Sequence, residues 1–452
     1  MATTSLFPLP ATPFERYLLA DDRPAYPMTF VLHMRLLGPL QREAFEEALA
    51  EVLPRHPLLQ ALWKPHWNGG QWVSAAGQKP LFHWDAPAAA LNLPNGTEQI
   101  DITQEIGLRV WVRANDQQAD VYCQFHHACC DGLGGFNVLG EWLAAYGIRT
   151  TPTGETLPKL ADLKPELLPT RGAFRGRVNT DVTWWQGASF MASETVKTLT
   201  RRPTPLAAPQ HTEPWQPVPF PGYLSVTCED EAFQQLRQKS QQADVSLNDL
   251  LIRDLLLVID AWNRQHGRTS DLGWLCLNMP TNLRERDDWK MPAANVMSYA
   301  LLTRSLAECR SSPDELLQSI HQETAAVKNW RLGEMFLQAI ALGQSVPGML
   351  PLLLSFFQRF STAVLSNLGD PTRRFTAKLP RRHGRIVAGN VELDLLTCIP
   401  ALRTFTRLSM TANTYNGHLT VNLRCDPHLF SAADTHALLH RYCEQLAHSR
   451  GE

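Results

Sequence analysis

The sequence predicts an α/β protein built as two similar lobes, each layering strands against helices. Three observations carry this expectation. The chain has 452 residues, long for one hydrophobic core and suited to two units of about 150–220 residues. Both halves mix short β-type runs with amphipathic helices, in a similar order. Between them lies an interval dense in proline and poor in periodicity. The division that results is an N-terminal lobe over 1–165, a proline-rich crossover over 166–222 and a C-terminal lobe over 223–452.

Each element has a local cause. "MTFVLHMRLLG" (28–38) is a β-type run ended by Gly38. In "LQREAFEEALAEVL", Leu40, Phe45, Leu49 and Val52 share one helical face, and Pro54 and Pro57 stop the helix. "PLFHW", "LRVWVRAN" and "ADVYCQFHH" are rich in branched and aromatic residues and read as strands. After Gly134 and Gly135, residues Phe136, Leu139, Trp142, Leu143 and Tyr146 recur at helical steps. The crossover, with "RRPTPLAAPQ" and "EPWQPVPFPGY", reads as a segment wrapped on the surface and ordered by its tryptophans. The second half opens with a strand, a helix and a further helix capped at Ser246 or Asn248. "LGWLCLNMPTNLR" and "VMSYALLTR" read as strands, and "SPDELLQSIHQETAAVKNW" as a helix. "RLSMTANTYNGHLTVNLRCD" is a hairpin about Asn416-Gly417. The last helix starts at Ser431, with Asp434 three positions on.

Composition excludes several functions. Apolar residues make up 44% and charged residues 19%, the balance of a globular chain. A net charge of -2 offers no footprint for nucleic acid. The local cluster Arg381, Arg382 and Arg385 reads as a solvated loop. Nine cysteines, an odd number without repeating spacing, suit a reducing cytosol better than a disulfide framework. The N-terminus lacks a basic region followed by an apolar one, so an unprocessed cytoplasmic protein is expected. "SVPGMLPLLLSFFQRF" is too short to span a bilayer and reads as a buried helix, so peripheral membrane contact is not expected. The apolar stretch from Met335 to Phe360 suits a long-chain pocket or a core equally. Nothing calls for an oligomer, and a monomer is expected.

The chemistry concentrates in "CQFHHACCDG" (123–132). In a strand, Val121, Cys123, Phe125 and His127 fall on one face, and Tyr122, Gln124 and His126 on the other. His127 therefore extends an apolar row to the strand end. Partial desolvation there lowers an imidazole's pKa and keeps a lone pair at neutral pH, as a general base requires. A metal site is disfavoured, because His126 and His127 point to opposite faces. His436 and His440 have helical i,i+4 spacing but lack the glutamate of a metalloprotease helix. Cys129 or Cys130 as a nucleophile would need a lowered pKa and exposure. The glycines of "GLGG" (132–135) lack the spacing of a phosphate cradle and read as a turn into the helix.

His126–His127–x–x–x–Asp131–Gly132 resembles the HHxxxDG signature of a large acyltransferase superfamily. Its members include nonribosomal peptide synthetase condensation domains, polyketide-associated acyltransferases, wax ester synthase/diacylglycerol acyltransferases and the plant BAHD enzymes. "PLPATPFERYLLADD", "PRHPLLQALW", "DVSLNDLLIRDLLLVI", "LNMPTNLRERDD", "AANVMS" and "STAVLSNLGD" are similar to that superfamily's segments, in the same order over nearly the whole chain. The resemblance implies a chloramphenicol-acetyltransferase-like fold, a pseudo-dimer of two lobes with a central tunnel. It implies His127 as general base, His126 as a residue shaping the site, and Asp131 paired with Arg284. It implies close backbone approach at Gly132, and a substrate-orienting or oxyanion role for Ser366 and Asn367. It further implies no metal and no tightly bound cofactor. The donor would be acyl-CoA or a phosphopantetheine-linked acyl group on an acyl- or peptidyl-carrier protein, and a hydroxyl or amine the small-molecule acceptor. The absence of attached adenylation or carrier domains suits a freestanding enzyme. The alternative is a non-catalytic scaffold that binds a carrier protein or acyl chain.

Overall fold

The computed structural model describes residues 6–66, 69–173, 200–329, 333–346, 348–349, 352 and 360–450. Most of "SVPGMLPLLLSFFQRF" and residues 174–199 of the crossover lie outside these. The first part of the chain runs β1 (Leu9–Pro10), α1 (Pro13–Asp21), β2 (Thr29–Leu37), α2 (Arg42–Val52), β3 (Ala61–Lys64), β4 (Gln71–Ser74), β5 (Leu81–Asp85), β6 (Leu108–Ala114), β7 (Gln118–His126) and α3 (Gly132–Thr150). The second part supplies β8 (Leu224–Cys228), β9 (Trp274–Asn282), β10 (Met297–Ser305), β11 (Ala363–Gly369), β12 (Arg381–Arg382), β13 (Arg385–Ala388), β14 (Val391–Ile399), β15 (Leu408–Tyr415) and β16 (His418–Cys425). Helices Asp230–Gln242, Leu247–Gln265, Pro313–Asn329, Gly333–Gln344 and Ala432–Arg450 accompany them.

Two large sheets result. The first has the order β12-β13-β14-β2-β7-β6-β5, the second β10-β9-β11-β15-β16-β8. In the first sheet, Val121, Cys123 and Phe125 of β7 point into a core shared with α2 and α3, as the alternation expected. The opposite face is buried too. Arg109, Trp111, Arg113 and Gln124 donate from it to backbone carbonyls of the segment 89–99, which covers it. That segment has few partners of its own, so the sheet's side chains satisfy its peptide groups.

The second sheet is two-sided in chemistry. Leu275, Leu277, Leu365, Met410, Ala412, Val421 and Leu423 lie in one apolar core with helices Leu247–Gln265 and Ala432–Arg450. The alternate residues, Asn278, Ser366, Thr411, Asn413 and Asn422, form the other, polar face. Alternation at period two thus makes one side core and the other a wall for polar contacts. Helix Leu247–Gln265 is capped at Ser246, not Asn248, by a reciprocal bond with Asp249. The Asn416–Gly417 turn joins β15 to β16 with positive φ at both residues.

Two features differ from expectation. Residues 381–399 were expected inside the C-terminal lobe, yet β14 pairs antiparallel with β2 of the first sheet. Arg381 and Arg382 form an exposed edge strand rather than a loop, because an edge strand leaves charged side chains in water. The return of β14 is clamped by buried polar groups: Thr397 Oγ1 donates to Asn413 Oδ1 at 2.8 Å, Asn413 Nδ2 to the Leu396 carbonyl at 2.7 Å, and Asn422 Nδ2 to Thr397 Oγ1.

The crossover is also more deeply packed than a surface wrap. Leu206 and Ala207 are buried in the second core. Asn263 Oδ1 accepts from the Ala207 N–H at 2.6 Å, and Trp262 Nε1 donates to the Ala207 carbonyl at 2.9 Å. Side chains of helix Leu247–Gln265 hold this end; Trp184 and Trp185 of the crossover lie outside the described residues. Its other end is tied by a fully buried ion pair. Arg171 Nε and Nη2 donate to Glu15 Oε1 and Oε2 at 2.6 and 2.8 Å, and Trp72 Nε1 donates to Oε2 at 3.0 Å. Replacing Glu15 by Gln leaves the Arg171 guanidinium uncompensated, so a loss of about 3–5 kcal/mol is expected. The check is the thermal unfolding midpoint of Glu15→Gln; an unchanged midpoint would show that the pair contributes nothing.

Candidate functional site

The β2–β7 ladder runs one step past His126, where the His127 N–H donates to the Met28 carbonyl at 2.8 Å, and ends as the Cys129 N–H bonds back to the His126 carbonyl at 3.0 Å. The chain then makes one turn and enters α3. Asp131 is the N-cap of that helix and accepts from the Gly134 N–H at 2.8 Å. Gly134 and Gly135 are closely packed: a Cβ would meet the Ala294 carbonyl oxygen at 3.2 Å and the Leu32 side chain at 2.9 Å respectively. Gly132 is different. A Cβ there would meet nothing nearer than Leu368 at 3.9 Å, so the protein itself leaves that space open.

The two histidines are held differently. His126 is fully buried, and its Nδ1 accepts from the Ala128 N–H at 3.1 Å. Its Nε2 therefore carries the hydrogen, and it faces Asp22 Oδ2 at 3.7 Å. His127 is half-buried and lines a cavity of about 230 Å³ between the two sheets. Its Nδ1 is buried, and its ring packs edge-on against Phe30, with centroids 5.2 Å apart. Burial pushes this imidazole below its ordinary value of 6.5, against the opposing pull of its own carbonyl oxygen and of Asp131.

Asp131 does not face the cavity alone. Arg284 donates to both its oxygens, Nη1 to Oδ2 at 2.8 Å and Nη2 to Oδ1 at 2.9 Å. Val296 N donates to Oδ2 at 2.9 Å, and Arg284 Nη2 also reaches the Ala294 carbonyl at 2.9 Å. The carboxylate is 3% exposed and the guanidinium 5%. A bidentate pair at that burial fixes the orientation of the turn after His127.

Ser366 and Asn367 of β11 line the same cavity as His127, as do Asp131, Gly132 and Arg284. Asn367 Oδ1 accepts from the Gly369 N–H at 3.0 Å, so the strand end is closed by its own side chain. Among the residues proposed from sequence, His126 alone stands back from the cavity, buried behind the turn.

Several neighbours carried no sequence signal. Arg403 lines the cavity and donates through Nε to Asp21 of α1. Tyr299 and Met297 of β10 and Asn278 of β9 complete the wall. Asn295, in the stretch before β10, donates through Nδ2 to the His127 and Ala128 carbonyls at 2.8 and 3.0 Å. The segment carrying it was legible as "AANVMS", yet a contact across 168 positions leaves no local pattern.

Thiol chemistry is not supported. Cys129 and Cys130 are fully buried, and burial pushes both thiols well above their ordinary value. Among the described residues no group of histidine, cysteine and carboxylate side chains could hold a metal ion. His440 Nδ1 lies 3.4 Å from Glu444 on an exposed helix face. No described helix is long and apolar enough to cross a membrane.

No family model matches the chain, and no curated protein matches it. Solved structures do. The first condensation domain of the calcium-dependent antibiotic synthetase superposes with a TM-score of 0.69 at 13% identity, covering 99% of this chain and 97% of that one. TRI3 trichothecene 15-O-acetyltransferase from Fusarium sporotrichioides gives 0.68 at 12% identity, covering 96% and 94%. The starter condensation domain of rhizomide synthetase, in complex with C8-CoA and Leu-SNAC, gives 0.65 at 14% identity, covering 99% and 94%. At these identities the likeness establishes the fold: a two-lobe α/β architecture shared with condensation domains and an O-acetyltransferase.

In the native protein, iodoacetamide is expected to leave Cys129 and Cys130 unmodified, with alkylation appearing only after denaturation. Peptide mass spectrometry reads this directly, and rapid native labelling of either thiol would contradict the burial described.

Proposed function

We propose that this protein is an acyltransferase that moves an acyl group from a thioester to a hydroxyl or amine, with His127 as general base. The observation that carries the reading is the placement of the His127 ring. It stands on the wall of a cavity lined from both sheets, with its pKa lowered by burial and its Nδ1 turned inward. The fold shared with condensation domains and an acetyltransferase supports the same reading.

The chemistry follows from that placement. The acceptor oxygen or nitrogen attacks the thioester carbonyl carbon as its proton passes to His127. A tetrahedral intermediate forms with charge on the former carbonyl oxygen. Ser366 and Asn367, at the cavity wall, are the groups proposed to orient the substrate or donate to that oxyanion. The intermediate collapses, the C–S bond breaks, and the leaving thiolate takes the proton back from the imidazolium. An ester or amide and a free thiol result, and no electron changes hands.

Asp131 and Arg284 take no proton in this scheme. They hold the turn that presents His127, and Gly132 leaves space for the reacting groups. The donor is proposed to be acyl-CoA or an acyl group on the phosphopantetheine of a carrier protein. The rhizomide synthetase domain, which binds C8-CoA, makes a medium-chain CoA thioester the first donor to try. Placement in the cytoplasm, where such donors form, is part of the proposal.

Purified protein offered a panel of acyl-CoA and acyl-carrier thioesters, with pooled alcohols and amines, should yield acylated product by mass spectrometry. His127→Ala should lower turnover by about 10²–10⁴ while keeping the circular dichroism of the wild type. Failure of every donor and acceptor pair to give a His127-dependent product would sink the assignment. The pH dependence has a defined sign. The folded-state pKa is lowered, so the base becomes competent as pH rises through a midpoint below 6.5. Folding stability contributed by the neutral ring is lost as pH falls below 6.5, where the unfolded state binds the extra proton. A kcat/KM profile with its acid limb centred above 7 would contradict this.

A further inference from the structure

Asn295 is 4% exposed and belongs to a short strap, residues 293–296, that lies against the turn after His127. Every position of the strap bonds to the first part of the chain. The Ala293 N–H donates to His56 Nδ1 at 3.0 Å, the Ala294 carbonyl accepts from the Asp131 N–H at 3.4 Å, and the Val296 N–H donates to Asp131 Oδ2 at 2.9 Å. Asn295 fills the remaining place with its side chain. Its amide orientation follows from its neighbours: both contacts, the His127 and Ala128 carbonyls, are acceptors only, so the atom facing them is Nδ2.

Burial disfavours a proton on the His127 ring, while that residue's own carbonyl oxygen, Asp131 and the Asn295 side chain favour one. Asn295 Oδ1 and His127 Nδ1 are both buried, and neither meets a partner in good hydrogen-bond geometry among the described residues. Leaving both unpaired costs the desolvation of each atom with no bond to offset it. An acceptor-only oxygen that receives the imidazole N–H in a hydrogen bond removes that cost for both atoms.

We propose that Asn295 is a positioning residue that accepts the Nδ1–H of His127, fixing the tautomer whose Nε2 lone pair faces the cavity. Its Nδ2 at the same time holds the 127–128 turn, so one amide sets both ring state and ring direction. The inference rests on the reading of His127 as the base. The charged and titratable groups around the ring are Asp131, bound by Arg284, and His126, beside Asp22; Arg374 and Arg403 line the same cavity, and the nearby thiols of Cys129, Cys130 and Cys398 are buried.

The test is long-range proton–nitrogen NMR of the full chain labelled with ¹⁵N-histidine, without donor or acceptor. The chain has 15 histidines, and the signals of residue 127 are identified by their loss in His127→Gln. In the wild type the neutral ring should carry its hydrogen on Nδ1. Asn295→Ala should shift the neutral ring toward the Nε2–H form that free imidazole side chains prefer in water. Asn295→Asp keeps the acceptor and adds a charge while giving up both donations to the 127 and 128 carbonyls, and it should retain the Nδ1–H form and raise the titration midpoint by about one unit or more. A wild-type ring protonated on Nε2, unchanged tautomer populations in Asn295→Ala, or an unmoved midpoint in Asn295→Asp would each overturn the proposal. Should Asn295→Ala fail to fold, the wild type and the isosteric Asp variant still decide. Because the spectra are read on free protein, their failure leaves the acyl-transfer assignment standing, and absence of turnover leaves the tautomer result intact.

Discussion

The ion pair of Asp131 with Arg284 joins the two parts of this molecule at the cavity wall. Asp131 caps a helix of the first part, and Arg284 follows a strand of the second. Their two bonds, at 2.8 and 2.9 Å, are nearly excluded from water. Burying two charges is costly, and such a pair often contributes little net stability against an apolar substitute. What it supplies here is direction. A bidentate carboxylate–guanidinium contact allows one relative orientation of the groups it joins, and those groups carry the turn after His127 and the strap 293–296.

The rest of the site follows from that constraint. With the turn held, α3 starts where Asp131 caps it. With the strap held, Asn295 meets the His127 carbonyl and β10 enters the second sheet beside the cavity. The imidazole is left with one side in the protein and one at the cavity wall. In the proposed reaction, partial burial is what suits the ring to act as a base. A fully solvated histidine would titrate near 6.5, and a sealed one would meet no substrate.

Much of the local structure was legible from the chain. The helical face of Leu40, Phe45, Leu49 and Val52, the cap at Ser246 and the turn at Asn416–Gly417 all come from interactions within a few residues. The row Val121, Cys123, Phe125 was legible for the same reason, since side chains alternate along any strand. The fate of β14 was not. Its residues alternate as well in one sheet as in another, and its choice of β2 depends on Thr397 meeting Asn413 and Asn422 across buried space. The burial of Leu206 and Ala207 was hidden likewise, because proline-rich sequence looks alike whether a tryptophan from another helix receives it or water does.

By itself, then, the sequence determined the periodic elements, the caps, the turns and the spacing that sets His127, Asp131 and Gly132 on one turn. Those properties are local, and short-range sterics and hydrogen bonding decide them. Only the tertiary structure decided which lobe receives β14, that Asn295 reaches the turn after His127 and Arg403 the cavity, and that Cys129 and Cys130 are sealed from solvent. Each depends on contacts between residues far apart in the chain, and burial is a property of the assembled core rather than of any segment within it.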